Sequence, residues 1–134
     1  MEDKIGWAGI GFLLLIAAIG SSLFTLFFDP QSEIPHVGAS GGIAGVLLFY
    51  GFAFPKRKLV FSISSFITGP RLMRFPALMV LVLWVFVQIF GSFFEKAGMS
   101  TVSYSGHLGG LLSGLVFWLL WRWKNSGGLV KVKE

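Results

Sequence analysis

Two side chains in this sequence have the chemistry of a nucleophile and its base. Ser40 lies in the glycine-rich stretch GASGGIAG (38–45), and His107 lies in GHLGGLLSG (106–114). A serine hydroxyl is a weak nucleophile until a neighbouring base takes its proton, and histidine is the most frequent base. A histidine within an apolar membrane helix is costly, so it is a functional candidate by default. The pair therefore predicts acyl-transfer chemistry if the fold brings these residues together.

The composition predicts that both residues lie in a membrane protein. Of the 134 residues, 54% are hydrophobic and only 13% are charged, well below the quarter that is usual for soluble domains. We predict an all-α polytopic bundle, a single domain over residues 1–134 with a flexible tail at 124–134. Its four transmembrane helices are expected at about 7–28, 40–54, 76–94 and 104–123. The connection at 55–75 is too apolar for a free loop and is predicted to lie in the membrane interface as a short amphipathic segment.

The basic residues predict the orientation of these spans. Ten of the eleven Lys and Arg residues lie in the N-terminus, the connection at 55–75 and the C-terminal tail, which share one side of the membrane if there are four spans. The positive-inside rule then puts both termini in the cytoplasm, and we expect a multi-pass protein of a bacterial cell membrane. Because topology explains the net charge of +5, the expected surroundings are a lipid bilayer and no nucleic acid. No cysteine and only two histidines are present, so no metal or cofactor is expected.

The second span is too short to cross the membrane as a helix of its own. Its fifteen residues, Ser40 to Phe54, give roughly 22 Å of helix at 1.5 Å per residue, against a hydrocarbon core of roughly 30 Å. With basic residues 56–58 at the cytoplasmic face, Ser40 falls below the outer surface. A helix N-terminus there offers free N–H groups that can stabilise an oxyanion. His107 enters the membrane from the same face at similar depth.

Glycines predict that these two helices pack closely. They recur at a spacing of four residues, at Gly41 and Gly45 on the second span and at Gly106, Gly110 and Gly114 on the fourth. Small residues at this spacing let membrane helices approach each other. Packing of the two glycine rows would bring Ser40 and His107 together.

Other interpretations of the same residues stay open. Glycine and serine are common at membrane helix contacts, and a single histidine can simply bond a neighbouring carbonyl. His36 is a rival base, but it follows Pro35 in a surface loop and is expected to be solvated. A small channel or carrier is disfavoured, because few intramembrane polar groups are present beyond Gln88, His107 and the serines.

The motifs resemble the rhomboid family of intramembrane serine proteases over roughly residues 2–123. The matching segments are EDKIG (2–6), GASGGIAG (38–45), RFPA (74–77) followed by Trp84 and Gln88, and GHLGGLLSG (106–114). The last segment has Gly106 where the family usually has alanine. The chain resembles helices three to six of the six-helix rhomboid core, without the first two helices.

The resemblance implies an endopeptidase that cleaves transmembrane segments of membrane proteins with a Ser40–His107 dyad and no acidic third member. The backbone at Gly38, Ser40 and Gly41 would form the oxyanion site. Gly41 and Gly45, together with Gly110 and Gly114, would pack the family's fourth core helix against its sixth.

It further implies a lateral gate near Trp84 and Phe86. In the family, the second helix supplies a histidine and an asparagine to the oxyanion hole. Some members also have an aromatic residue at the position of Ala44, where it stacks on the histidine. The absence of the first two helices favours an alternative: a non-catalytic rhomboid-like fragment or pseudoprotease that binds transmembrane segments.

Overall fold

Four helices and one β-hairpin make up the described part of the chain, residues 1–30, 39–65 and 69–126 of a computed structural model. In chain order the elements are α1 (Glu2–Phe28), α2 (Ala39–Ala53), β1 (Lys58–Ser65), β2 (Gly69–Pro76), α3 (Ala77–Lys96) and α4 (Tyr104–Ser126). The four helices coincide with the four predicted apolar segments to within three residues at every end except the start of α1. That helix begins five residues earlier than predicted, and Gly6 within it has non-helical dihedral angles.

Three of the helices form the centre of the bundle. Each of α1, α2 and α4 contacts the other two extensively, whereas α3 has fewer contacts, with α4, α2 and the hairpin. The buried residues of α1 are spaced by four and therefore lie on one face; they are Leu13, Ala17, Ser21 and Thr25. Small and hydroxyl side chains thus occupy much of the interior, which allows the helices to lie close together.

Large apolar side chains lie on the outside of the bundle. Among the exposed ones, with their exposed fractions, are Phe27 (85%), Ile43 (62%), Phe90 (63%) and Leu120 (58%). A surface of this kind is suited to hydrocarbon rather than water. Two described helices, Glu2–Phe28 and Ala77–Lys96, are long and apolar enough to cross a membrane, and the apolar α2 is shorter. The count of four spans stays a prediction.

The connection at 55–75 has a regular structure that the sequence did not predict. Strands β1 and β2 pair in antiparallel register, from Lys58 opposite Pro76 to Ser65 opposite Gly69. Gly69 has a φ of 70°, a backbone conformation that glycine adopts without a steric cost. The prediction of an all-α fold is therefore wrong at this segment, and the fold is mostly helical.

The start of the predicted flexible tail is also different. Helix α4 continues to Ser126, so residues 124–126 are helical, while 127–134 lie outside the described residues. Two polar side chains satisfy carbonyl groups of the last turn: Asn125 Nδ2 donates to the oxygen of Trp121, and Ser126 Oγ donates to the oxygen of Arg122, both at 2.7 Å. Both bonds run from a side chain to the carbonyl four residues earlier, which is the local side-chain-to-backbone bonding that asparagine and serine form in helices.

Candidate active site

His107 is held by a buried glutamine of the neighbouring helix. Gln88 on α3 is only 2% exposed, and its Oε1 lies 2.7 Å from Nδ1 of His107 on α4. The amide Nε2 of Gln88 donates to the backbone oxygen of Trp84 at 3.2 Å. If the oxygen and nitrogen of the Gln88 amide were exchanged, its oxygen would face the backbone oxygen of Trp84, and neither atom could donate. Oε1 is therefore the atom that accepts a hydrogen bond from His107. In a neutral imidazole Nδ1 then bears the proton, and Nε2 is left with the lone pair that a base needs.

Two aromatic rings flank the imidazole. The centroid of Trp84 lies 5.6 Å from that of His107 at an interplanar angle of 36°, and Tyr104 lies 6.4 Å away at 86°. Together with Gln88 these rings restrict the imidazole from the side of α3 and from its own helix. The ring is therefore oriented before any substrate arrives.

Ser40 is the second residue of α2, at the exposed N-terminal end of that helix. Within residues 1–30, 39–65 and 69–126, no hydrogen bond joins it to His107. Its neighbour Gly41 packs against Gly106, such that a Cβ added to Gly41 would lie 3.4 Å from the oxygen of Gly106. Gly41 follows Ser40 in the sequence and Gly106 precedes His107, so the contact between these two glycines lies next to both proposed dyad residues.

The contact between α2 and α4 is made by backbone atoms. A Cβ added to Gly110 would overlap the carbonyl oxygen of Gly41, and one added to Gly114 would overlap that of Gly45. Because the obstructing atoms belong to the backbone, no side-chain movement can relieve the overlap. Neither Gly110 nor Gly114 has room for a side chain. The two helices therefore lie closer together than they could with any residue other than glycine at these positions.

Helix α1 packs against both α2 and α4 near their glycine contact. Ser21 packs against Gly41, and its Oγ lies 3.0 Å from the Cβ position of Gly106. One turn further along, Thr25 Oγ1 lies 3.3 Å from Oγ of Ser103, in the loop that precedes α4. The start of α4 is thereby fixed against α1 as well as α2.

Glu95 fixes the start of α4 from α3. Its Oε2 accepts from the backbone N–H of Ser105 and its Oε1 from the hydroxyl of Ser105, both at 2.7 Å. Ser105 is fully buried and lies two residues before His107. A carboxylate at a helix N-terminus satisfies a free N–H and interacts favourably with the helix dipole. This contact sets the height of His107 relative to α3.

Comparison with known proteins shows which family this chain belongs to. The Rhomboid domain family matches residues 1–124. The chain belongs to the rhomboid family. RHOMBOID-like protein 5 of Arabidopsis thaliana is 32% identical over 116 residues, which cover 85% of this chain and 32% of that relative. The chain therefore spans about a third of the length of this rhomboid relative, and no solved structure matches it.

The rhomboid resemblance predicted from the sequence is confirmed by this match, and individual residues can now be placed. Ala44 is fully buried in a core cluster with Leu48, Leu81 and Leu111. Where some rhomboids have an aromatic residue at this position, here Trp84 lies next to the histidine. Trp84 is partly buried, and the other predicted gate residue, Phe86, is 58% exposed.

The rival base His36 and the oxyanion candidate Gly38 lie outside the described residues. Among the described residues, no group of three or more His, Cys, Asp or Glu side chains could hold a metal ion.

Two site residues were missed by sequence reasoning. Gln88 was noticed as a polar residue of an apolar span, but not as the partner of His107. Glu95 lies outside every motif named in the sequence analysis. The available signal for Glu95 was its place just before α4, whose own first turn contains no acidic residue.

Proposed function

We propose that the chain is an intramembrane serine endopeptidase that cleaves transmembrane segments, with Ser40 as the nucleophile and His107 as the general base. The main support is the bond between His107 Nδ1 and Gln88 Oε1. In the neutral imidazole this bond favours the tautomer with Nε2 unprotonated, which is the state required for removing a proton from a serine hydroxyl.

The proposed reaction follows from this proton arrangement. Ser40 Oγ attacks the peptide carbonyl while its proton passes to Nε2 of His107. The resulting tetrahedral oxyanion collapses, the C–N bond breaks, and the leaving amine takes the proton from Nε2. Water then attacks the acyl-enzyme ester with His107 again as base, which releases the carboxylic acid and restores Ser40. Gln88 keeps its bond to Nδ1 throughout and stabilises the imidazolium.

The N-terminus of α2 would supply the oxyanion donors. The first N–H groups of a helix have no intrahelical partner and form the positive end of its dipole. In α2 these include the N–H groups of Ser40 and Gly41, beside the nucleophile. The rhomboid pattern also uses a histidine and an asparagine of the family's second helix, which has no counterpart among residues 1–134. Removal of one oxyanion donor costs about a hundredfold or more in rate, so the donors of α2 matter for the proposed reaction.

The alternative is a rhomboid-like chain that binds transmembrane segments without cleaving them. The observation that favours it is the exposed Ser40, which forms no hydrogen bond with His107 in the described ranges. Catalytic bonds are, however, often long without substrate and shorten when substrate binds. The prepared imidazole has no evident purpose in a simple binder, so the protease is the better-supported function.

The predicted topology is part of the proposal. With four spans, both termini lie in the cytoplasm and Ser40 opens toward the outer side, where a transmembrane substrate would enter laterally from the bilayer. The gate at Trp84 and Phe86 belongs to the same proposal. The bacterial origin stays a prediction, as the relative described above is a plant protein.

A fluorescent fluorophosphonate tests the proposal, because it labels serines that a base activates. Native membranes containing the wild type, Ser40→Ala or His107→Ala would be labelled in parallel. Ser22→Ala is the matched control, since Ser22 is an exposed helix serine whose hydroxyl donates to the oxygen of Ala18. We expect labelling of the wild type and Ser22→Ala, none of Ser40→Ala, and a rate reduced by about a hundredfold or more in His107→Ala.

A wild-type signal no higher than that of Ser40→Ala would contradict the protease proposal for this chain. Co-purification of transmembrane segments with both proteins in equal amounts would then support the binder. Cleavage of a reporter transmembrane segment by the wild type and not by Ser40→Ala would establish the endopeptidase directly.

A further inference from the structure

The β-hairpin exposes apolar side chains on both of its faces. Residues directly opposite each other in an antiparallel pair lie on the same face. Phe61 pairs with Met73 on one face, and these side chains are 41% and 42% exposed. On the other face Val60 is 55% and Leu72 is 68% exposed. Isolated two-stranded hairpins are marginally stable in water, so this hairpin needs a surface that covers apolar groups on both sides.

The same hairpin is strongly basic. The segment 55–76 contains Lys56, Arg57, Lys58, Arg71 and Arg74 and no acidic residue. Arg74 lies opposite Val60 in the register, and Arg71 lies one pair nearer the turn than Leu72. Both arginines are exposed, and neither forms an ion pair with a described residue. Positive charge is therefore interleaved with the exposed apolar side chains.

The base of the hairpin lies at one end of the helix bundle. Strand β2 leads directly into α3, one of the two helices long and apolar enough to cross a membrane. The N–H of Ala77 donates to the oxygen of Arg57 at 2.7 Å, and that of Leu78 donates to the oxygen of Pro55 at 3.4 Å. These bonds tie the start of α3 to the segment that follows α2. The hairpin thus leaves the bundle where two apolar helices reach the same surface.

An open apolar groove separates the hairpin from α3. It has a volume of ≈ 440 Å³, and its lining includes Phe61 and Phe75 of the hairpin and Met79, Val80 and Leu83 of α3. Its walls are almost entirely apolar, which suits a hydrocarbon chain rather than a polar ligand. The hydrocarbon-facing surface of α3 therefore continues onto the hairpin.

We propose that the hairpin binds an anionic phospholipid surface. Its apolar side chains enter the interfacial layer of the bilayer, and Arg71 and Arg74 pair with phosphate groups of anionic lipids. Charge complementarity selects this partner, because a lipid surface offers both negative charge and an apolar layer to a segment that has basic and apolar residues interleaved. The inference concerns membrane binding alone and is independent of whether Ser40 is catalytic.

A single-cysteine label tests the proposal, since the chain contains no cysteine. Leu72→Cys is labelled with an environment-sensitive fluorophore, and the whole 134-residue chain is reconstituted in vesicles of phosphatidylcholine alone or mixed with phosphatidylglycerol. Leu119→Cys is the control, because Leu119 is an exposed residue of α4 and 51% accessible. Spin-labelled lipids quench a fluorophore that contacts the bilayer.

We expect the label at position 72 to shift to the blue and to be quenched in the phosphatidylglycerol vesicles, and less so in phosphatidylcholine. Added salt and the R71Q/R74Q double substitution should reverse this effect. Each arginine should change the preference for the anionic surface by about fivefold, and the pair by about thirtyfold. The label at position 119 should be quenched equally in both kinds of vesicle, with or without the R71Q/R74Q substitution.

Three outcomes would overturn the proposal. The first is a label at position 72 that stays in water in both vesicles. The second is equal quenching in both vesicles with no effect of R71Q/R74Q. The third is a spectrum that depends on the protein-to-lipid ratio and not on lipid charge, which would show that a second copy of the chain covers the hairpin.

Discussion

Replacing Gln88 by methionine tests whether this buried amide sets the proton position on His107. Methionine has a similar length and volume but cannot accept a hydrogen bond. The substitution would leave the Nδ1–H of His107 without its partner at 2.7 Å and would free the oxygen of Trp84. The imidazole could then rotate or place its proton on Nε2, and either change removes the lone pair on Nε2 that the proposed dyad requires.

The magnitude follows from the burial of the pair. Leaving a buried donor unpaired costs about 1–3 kcal/mol. If the whole cost appears in the activation barrier, the rate falls by about 5- to 150-fold, because about 1.4 kcal/mol corresponds to a factor of ten. The assay is the rate of fluorophosphonate labelling at Ser40 in detergent-solubilised protein. Thermal unfolding of the same samples reports how much of the cost appears in stability instead.

Ser92→Ala is the matched control for this prediction. Ser92 is a buried polar residue one turn further along α3, and its hydroxyl donates to the oxygen of Ile89 at 2.7 Å without contacting His107. We expect its labelling rate to stay within about twofold of the wild type. Gln88→Glu, which keeps an acceptor oxygen, should label faster than Gln88→Met. A folded Gln88→Met protein that labels as fast as the wild type would refute the positioning role of Gln88.

Two further predictions concern the contacts that position α4. Gly110→Ala puts a Cβ on the carbonyl oxygen of Gly41 and should lower the free energy of unfolding by about 1–3 kcal/mol. Gly11→Ala is the control, because its added Cβ meets nothing within 4 Å, and its unfolding temperature should not fall. Glu95→Ala removes both acceptors of Ser105 and should cost about 1–2 kcal/mol, with Glu95→Gln in between. Equal unfolding temperatures for Gly110→Ala and Gly11→Ala, or for Glu95→Ala and the wild type, would show that these contacts do not hold α4.

The helices could be predicted from the sequence because their signals are local. An apolar run between polar ends located α3 to within two residues at each end, and Pro76 marked its start. The hairpin has no comparable pattern, since apolar residues lie on both of its faces and no period of two separates them. Its paired residues are 4 to 18 positions apart, from Ser65 and Gly69 to Lys58 and Pro76, and no Asn-Gly or Asp-Gly pair between the strands indicates a hairpin.

The candidate site could be predicted only in part, for a related reason. Glycine spacing indicated which faces of α2 and α4 could approach, because a row of small residues is visible in one helix at a time. The partner of His107 depends on how α3 is rotated against α4, and no local pattern determines that rotation. Gln88 and Glu95 became recognisable as site residues only when the helices were placed together.

The glycine contact between α2 and α4 has a consequence for conformational entropy. Membrane helices form before they associate, so the backbone freedom of Gly41, Gly45, Gly110 and Gly114 is lost before the helices meet. These residues have no rotamers to order, and the association costs no side-chain entropy at the contact itself. For the same reason the contact has no side chain that could adjust to a different helix position. The relative height of Ser40 and His107 is consequently set by the fit of two backbones.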